Sequence, residues 1–417
     1  MRQLIGLLGA VLLLNGCAST RFDIRTTATD PQLYGSVYPY YVEFCALSEF
    51  NKLHGKGIDL DSGGPGGHSV LYLNGVCKSK DAGYPVIEVC DGDPTPDQGV
   101  GLSVNAHYRN ANWIATEGRD FFFHGGLAPG QPLTAAAYAR TQQHAKAIGI
   151  LDGVQFHQAA MLDKPASMSA HDYMYELSVA TDYALSFGRD RYCARVPLDR
   201  DRMRGVVTYL NGVNAPYRSG ERRFEWDVLR DNCAHLTHNA LATVGIWRPW
   251  PIERPLLFAA FDFPVPKNEF VNLMRRTNDL PFDNPATLHD DDELLAALRE
   301  KDWIATRPGA LAEAERAVPV NDIYNTHLRL IFYDEPVFGH YQQHFDAIFR
   351  DPRYTDLRAN LAYFAARYDR ILASRPASAK AENDPARAAF DALYYDHIAR
   401  ERASIEAVRA KLSRITG

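Results

Sequence analysis

The clearest pattern in the chain is the apolar run His68-Ser69-Val70-Leu71-Tyr72-Leu73, closed by Asn74-Gly75. A short apolar stretch rich in branched and aromatic residues, followed by Asn-Gly, predicts a strand entering a hairpin. With period two, His68, Val70 and Tyr72 face one way and Ser69, Leu71 and Leu73 the other. Val76-Cys77 and Tyr84 to Cys90 continue the sheet, and Tyr34 to Val42, Leu102 to Tyr108, Trp113 to Thr116 and Arg191 to Pro197 are further extended segments. Phe121-Phe122-Phe123-His124 forms an aromatic cluster closed by the flexible turn Gly125-Gly126. Helical spacing marks Thr134 to Ile148, His171 to Phe187, part of Leu198 to Asn211, and the stretch that starts at Cys233. Asp231 and Asn232 are good N-caps, and no Pro or Gly interrupts that stretch before Gly245.

Composition shifts near Pro281 to Asp292. Beyond it helices are expected at Asp291 to Lys301, Gly309 to Ala317, His340 to Phe349, Thr355 to Ala373 and Pro385 to Ser413. The pattern therefore predicts an α+β chain: an antiparallel sheet packed on helices over residues 34–284, then an all-α domain over 285–417. The tyrosines at helical spacing in the second part, such as Tyr363 and Tyr368, are core positions.

Residues 1–16 read as a signal peptide, with one basic residue (Arg2) and an apolar run from Leu4 to Leu14 too short to span a bilayer as a helix. Leu14-Asn15-Gly16-Cys17 resembles the bacterial lipobox, in which the Cys is lipidated and becomes the mature N-terminus. Ala18 after it resembles the pattern of lipoproteins sorted to the outer membrane. The expectation is a periplasm-facing outer-membrane lipoprotein joined to the membrane at Cys17, with residues 17–33 as its tether. A net charge of -6 gives no basic surface for a nucleic-acid partner.

Export makes the cysteines informative. Setting Cys17 aside leaves Cys45, Cys77, Cys90, Cys193 and Cys233, an odd number in a compartment that forms disulfides. Cys77 and Cys90 flank a hairpin and are the first pair expected. Cys45 and Cys193 are a second pairing, which leaves Cys233, although counting alone does not fix the connectivity. A thiol in the first turn of a helix meets unpaired N–H groups and the positive end of the helix dipole, which favours thiolate. The bland reading of Cys233 is a small buried residue on an amphipathic helix.

A nucleophilic thiol needs a base and a third group to fix the imidazole. His68 stands behind Gly55 to Gly67, a stretch with six glycines whose backbone can approach a ligand closely. These glycines are not a phosphate loop, since no Lys-Ser/Thr follows.

Gly67-His68-Ser69 opening a strand, then Arg189-Asp190-Arg191-Tyr192, then Phe224-Glu225-Trp226 ahead of Asp231-Asn232-Cys233, resembles the Lnb N-terminal periplasmic domain family. That family lies within the circularly permuted papain-like (NlpC-type) cysteine hydrolases and acyltransferases, in which the His strand precedes the Cys helix. The resemblance covers about Tyr34 to Trp250. It implies a permuted papain-like catalytic domain acting through a thioester, with Cys233 as nucleophile and His68 as general base. It also implies an orienting group on a strand after the His strand, a place that Glu88 fits by residue type. Gly67, Asn232 and His124 are then expected to line the substrate site, with backbone N–H groups at the helix start holding the oxyanion. The substrate class would be a cell-envelope amide or ester, such as a peptidoglycan peptide or an acyl lipid.

His235 and His238 share a helix and with Cys233 or His124 would form a zinc set, but Cys233 and His235 point to different sides of it, so neither metal nor cofactor is expected. A different class of function is a non-catalytic outer-membrane scaffold or binding protein. Slow, ordinary reactivity of Cys233 would favour that one.

Overall fold

The computed structural model describes residues 17–20, 30–49, 53, 67–80, 83–252, 265–325, 330–333, 340–375 and 385–416. The expected signal peptide and the glycine-rich stretch ahead of Gly67 lie outside the described residues. In chain order the first elements are β1 (Cys17–Thr20), α1 (Pro31–Val37), β2 (Tyr41–Leu47), β3 (His68–Asn74), β4 (Val76–Lys78), β5 (Ile87–Val89), β6 (Gly99–Ser103), β7 (Ile114–Glu117) and α2 (Arg119–His124). Next come α3 (Ala135–Ala147), α4 (Ala170–Ser178), β8 (Arg191–Pro197), α5 (Arg200–Arg218), α6 (Cys233–Ala242), α7 (Pro266–Asp279), α8 (Pro285–His289) and α9 (Asp292–Lys301). The chain finishes with β9 (Leu311–Glu315), β10 (Leu330–Tyr333), α10 (Tyr341–Arg350), α11 (Pro352–Thr355), α12 (Leu357–Ala373) and α13 (Pro385–Thr416).

Six strands form one antiparallel sheet in the order β7-β6-β3-β2-β8-β9. β4 and β5 make a separate hairpin, and β1 pairs with β10. The three central strands β2, β3 and β8 are buried along their whole length. Both faces of the sheet are therefore covered, as their near-continuous apolar runs require. On one face Leu71, Leu73 and Leu102 pack with Leu210 of α5 and Leu236 and Leu241 of α6. On the other, Tyr41, Val70 and Tyr72 pack with Phe364 and Tyr368 of α12 and Tyr394 of α13. The period-two alternation read along β3 divides its apolar side chains between these two cores. Gly101 lies under Phe122, whose ring is 2.1 Å from where a Cβ would stand, so only glycine lets α2 settle on β6.

The α+β class and a helical C-terminal region are present, but that region is not all-α. The helix expected over Gly309 to Ala317 is instead β9, the sixth strand of the sheet. Gly309 has a φ of 90°, and its N–H is taken by Asn360 Oδ1 at 2.7 Å, which turns the chain into the sheet rather than into a helix. Residues on both sides of position 285 accordingly share one core, from Tyr34 and Tyr41 to Phe364 and Tyr394. The helix expected to run from His171 to Phe187 ends at Ser178, because Ala180 and Ala184 take left-handed φ values of 60° and 53°.

Cys45 and Cys193 are bridged at directly opposed positions of β2 and β8, and Cys77 is bridged to Cys90 across the β4–β5 hairpin. The first closes a loop of 148 residues. Loop-closure entropy gives such a cross-link about 5 kcal/mol of unfolded-state destabilisation. No helix among the described residues is long and apolar enough to cross a membrane.

Candidate active site at the head of β3

Among the described side chains, Cys233 is the free cysteine. It opens α6, whose N-cap is Asn232. The Asn232 side chain accepts the N–H groups of Ala234 at 2.9 Å and His235 at 3.2 Å and donates to Val228 O at 2.7 Å. Asn232 is 4% exposed, so the residue expected to touch substrate is instead spent on capping.

One turn of α6 lies along the head of β3. Thr237 Oγ1 is 3.4 Å from Ser69 Oγ, and the side chain and backbone of Ser69 both act to lower the Cys233 thiol pKa. The thiol thus meets the sheet at Ser69, on the face of β3 that carries Leu71 and Leu73, while His68, the next residue back along the strand, turns its ring to the Val70 and Tyr72 face, where Ser103 lies. Gly67, with a φ of 74°, is the bend that admits the chain to β3 at this point.

His68 is 3% exposed, and its Nε2 lies 2.9 Å from Ser103 Oγ at the end of β6. The Ser103 hydroxyl donates its single proton to the Thr181 carbonyl at 2.7 Å. A carbonyl only accepts, so Ser103 is left as acceptor toward the ring, and Nε2 must carry the imidazole proton. Nδ1 is then the bare nitrogen, the one able to receive a proton from a thiol. The carbonyl that sets this tautomer is itself held. Ala180, in the left-handed region at a cost of about 1–2 kcal/mol, receives Arg189 Nε on its carbonyl at 2.7 Å. Asp182 accepts Asn105 Nδ2 at 2.9 Å, and its carbonyl accepts Thr116 Oγ1 at 3.0 Å.

Electrostatics make the resting pair neutral. Burial pushes the Cys233 thiol above its ordinary value of 9.0, against the opposing pull of Ser69, the Ala234 N–H and the Arg189 cation. Burial, and then Arg189, hold His68 well below 6.5, against a hydrogen bond from the ring to the Thr181 backbone carbonyl, which raises it. The helix start does not deliver the stable thiolate that its dipole suggests, because desolvation is the larger influence. What the head of β3 offers is a neutral base of defined tautomer and a neutral thiol at successive strand positions, with one buried guanidinium acting on both.

Glu88 does not take the orienting place. It is exposed on β5, in the separate hairpin opposite Cys77, and Ser103 occupies the position assigned to it. The reason is topological: the strand after His68 that joins the main sheet is β6, and β4–β5 is an excursion from it. His124 is also elsewhere. Its Nδ1 meets Asp120 at 3.0 Å and its Nε2 meets Glu315 at 2.8 Å, at the edge of a buried charge cluster on β2, β8 and β9. In that cluster Arg119 holds Glu43 through two 3.0 Å bonds, while Arg191 and Arg195 pair with Glu315 and Glu313. Burial would raise Glu43, but Arg119 and Arg195 outweigh it and hold its pKa at about 2.

His238 is a structural residue. It is stacked between Trp247 and Trp250, and its two ring nitrogens are engaged by Glu269 and by the Arg248 carbonyl, each at 2.9 Å. His235 packs edge-on against Trp250. Ser103, Thr181, Asp182 and Arg189 were not singled out from the sequence as site residues. The traceable signal was Arg189-Asp190, part of the family-like strand motif; a lone serine ending a strand carries none.

Comparison with family models, with curated proteins and with solved structures returned no match for this chain.

Proposed function

We propose that the protein is a cysteine-dependent hydrolase or acyltransferase of permuted papain-like organisation, acting on an amide or ester through a thioester at Cys233. The observation that carries this reading is the free thiol that opens α6 against the head of β3, the strand that His68 begins. The thiol is unpaired, follows the Asn232 cap and is influenced by Ser69, and the strand position before Ser69 is a buried histidine whose Nε2 is bound to Ser103. His68 Nδ1 takes the thiol proton as sulfur attacks the carbonyl carbon, and the imidazolium returns that proton to the leaving group. Ser103 and the Thr181 carbonyl stabilise the Nε2–H while the ring is charged. Water or a second nucleophile then releases the acyl group.

The lipobox-like Cys17 and the cysteine pairing support an envelope setting, with the protein anchored at the outer membrane and acting on a peptide or acyl lipid there. The test is a pre-steady-state reaction with a p-nitrophenyl ester. The expected result is a burst of one nitrophenolate per chain and an acyl group mapped to Cys233 by mass spectrometry. No burst, with the chain folded and Cys233 unmodified, would favour a non-catalytic scaffold.

A further inference from the structure

A cavity of about 220 Å³ lies between α5 and α6. His235 and Asn239 line it, whereas Cys233 and Thr237 face β3; residues two apart on a helix point to opposite sides, so the cavity backs onto the nucleophile helix without sharing its thiol. Its polar lining is mixed, since the exposed Arg222 and both Tyr209 and Tyr217 also line it, and its inner acceptors are Asn112 and Asp231. Asn112 is 1% exposed; its Nδ2 donates to Asp231 Oδ1 at 3.3 Å, and its Oδ1 is buried with no hydrogen-bond partner. Asn112 is held in place through its N–H, which donates to Asn214 Oδ1 at 2.8 Å. Asp231 supplies a carboxylate.

A third acceptor comes from the backbone. Pro216 stands inside α5 and has no N–H, so the carbonyl of Gly212, four residues earlier, is denied its helical donor. Gly212 and Pro216 both line the cavity, and a Cβ at Gly212 would meet nothing within 4 Å, so the rim there is open. Val213, Leu236 and Ile252 complete an apolar wall.

We propose that this cavity binds a primary ammonium group carried on an apolar stem, its three N–H donors taken by the Asp231 carboxylate, Asn112 Oδ1 and the Gly212 carbonyl. The match is one of number, –NH₃⁺ having three donors and no acceptor, and the Asp231 carboxylate supplies the opposite charge against the exposed Arg222 at the rim. Burial pushes Asp231 up to about 6, with Asn112 and the exposed Arg222 pulling the other way, so the carboxylate is mainly ionised at neutral pH. The chemistry is that of a peptide or amino-acid amine, or of an aminoalkyl lipid headgroup.

Calorimetric titration of the full chain tests it. Leucinamide is expected to bind saturably, and N-acetyl-leucinamide, with the charge removed, roughly tenfold more weakly or worse, a difference of about 1.4 kcal/mol. Asp231→Asn should weaken leucinamide by a similar factor. Gly212→Val, a rim change that leaves the core untouched, should do so with an unaltered circular dichroism spectrum. Cys233→Ala should leave binding unchanged, which separates this site from the thiol chemistry. Short-chain phosphatidylethanolamine binding more tightly than leucinamide would support a lipid source, and the reverse order an amino-acid source. Equal binding of the acetylated compound, indifference to both Asp231→Asn and Gly212→Val, or no saturation by about 10 mM leucinamide would overturn the proposal.

Discussion

At the head of β3, His68 is held by one hydroxyl and Cys233 is influenced by one serine, while on β2 and β9 Glu43, Glu313 and Glu315 are matched against Arg119 of α2 and Arg191 and Arg195 of β8. His68 and the arginine–glutamate cluster are both buried, and each region has a histidine, His124 lying at the partly exposed edge of the cluster. In the charged region the histidine, His124, has a carboxylate on each ring nitrogen. In the other region a single nitrogen of His68 is tied down by a side chain. Buried charges need partners on every side because desolvation is costly, and a fully partnered group has nothing left to react with. Neutral groups tolerate partial satisfaction, and the free Nδ1 of His68 is what the chemistry requires.

That contrast can be broken at several points. His68→Gln should have the largest effect, slowing acylation of Cys233 by roughly 10²–10⁴-fold, the usual contribution of a general base. Stopped-flow release of nitrophenolate reads it, and an unchanged rate would remove the distinction between the regions. In the charged cluster, Glu43→Gln should cost about 3–5 kcal/mol of stability, because it strands Arg119 and Arg195 in the interior. Denaturant midpoints measure this, while the acylation rate of the folded fraction should stay at the wild-type value. Ser103→Ala should slow acylation roughly tenfold, about 1.4 kcal/mol, by freeing the imidazole to take either tautomer. Ser103→Thr keeps the hydroxyl and should restore the rate, and ¹⁵N shifts of the His68 ring should report the Nε2–H form in wild type and threonine variant only. Glu88→Ala should do least, within about 0.5 kcal/mol in stability and with no effect on rate; a large loss would return the orienting role to the hairpin.

Much of the head of β3 was legible in the sequence. The apolar run closed by Asn74-Gly75 defined the strand, Asp231-Asn232 defined the helix start, and the odd cysteine count pointed to Cys233 as the thiol left over. The local signals failed where tertiary contacts decide. Leu311 to Glu315 has helical composition, yet pairs with β8 because an edge of the sheet lay open to it and Gly309 turns the chain toward it. Val179 to Ala184 continues an apolar helical pattern, but the bonds from Arg189 to Ala180 and from Ser103 to Thr181 hold it in a loop with two left-handed alanines. Glu88 had the right residue type and the right sequence order, but strand order in space is not written in either. The sign of the thiol's shift was missed for a similar reason: the helix dipole is a local property, whereas burial of Cys233 depends on the packing of α6 against β3.

The central claim is that a neutral His68 draws the proton from a neutral Cys233, and the pH dependence of the acylation burst tests it directly. Between the ordinary pKa values of imidazole, 6.5, and thiol, 9.0, both groups keep their resting protonation, since His68 is shifted below that window and Cys233 above it. The wild-type burst rate should therefore be flat across this range, while in His68→Gln, where the thiolate must form by itself, it should rise roughly tenfold per pH unit. A wild-type rate that climbs with the same slope as the variant would contradict the account.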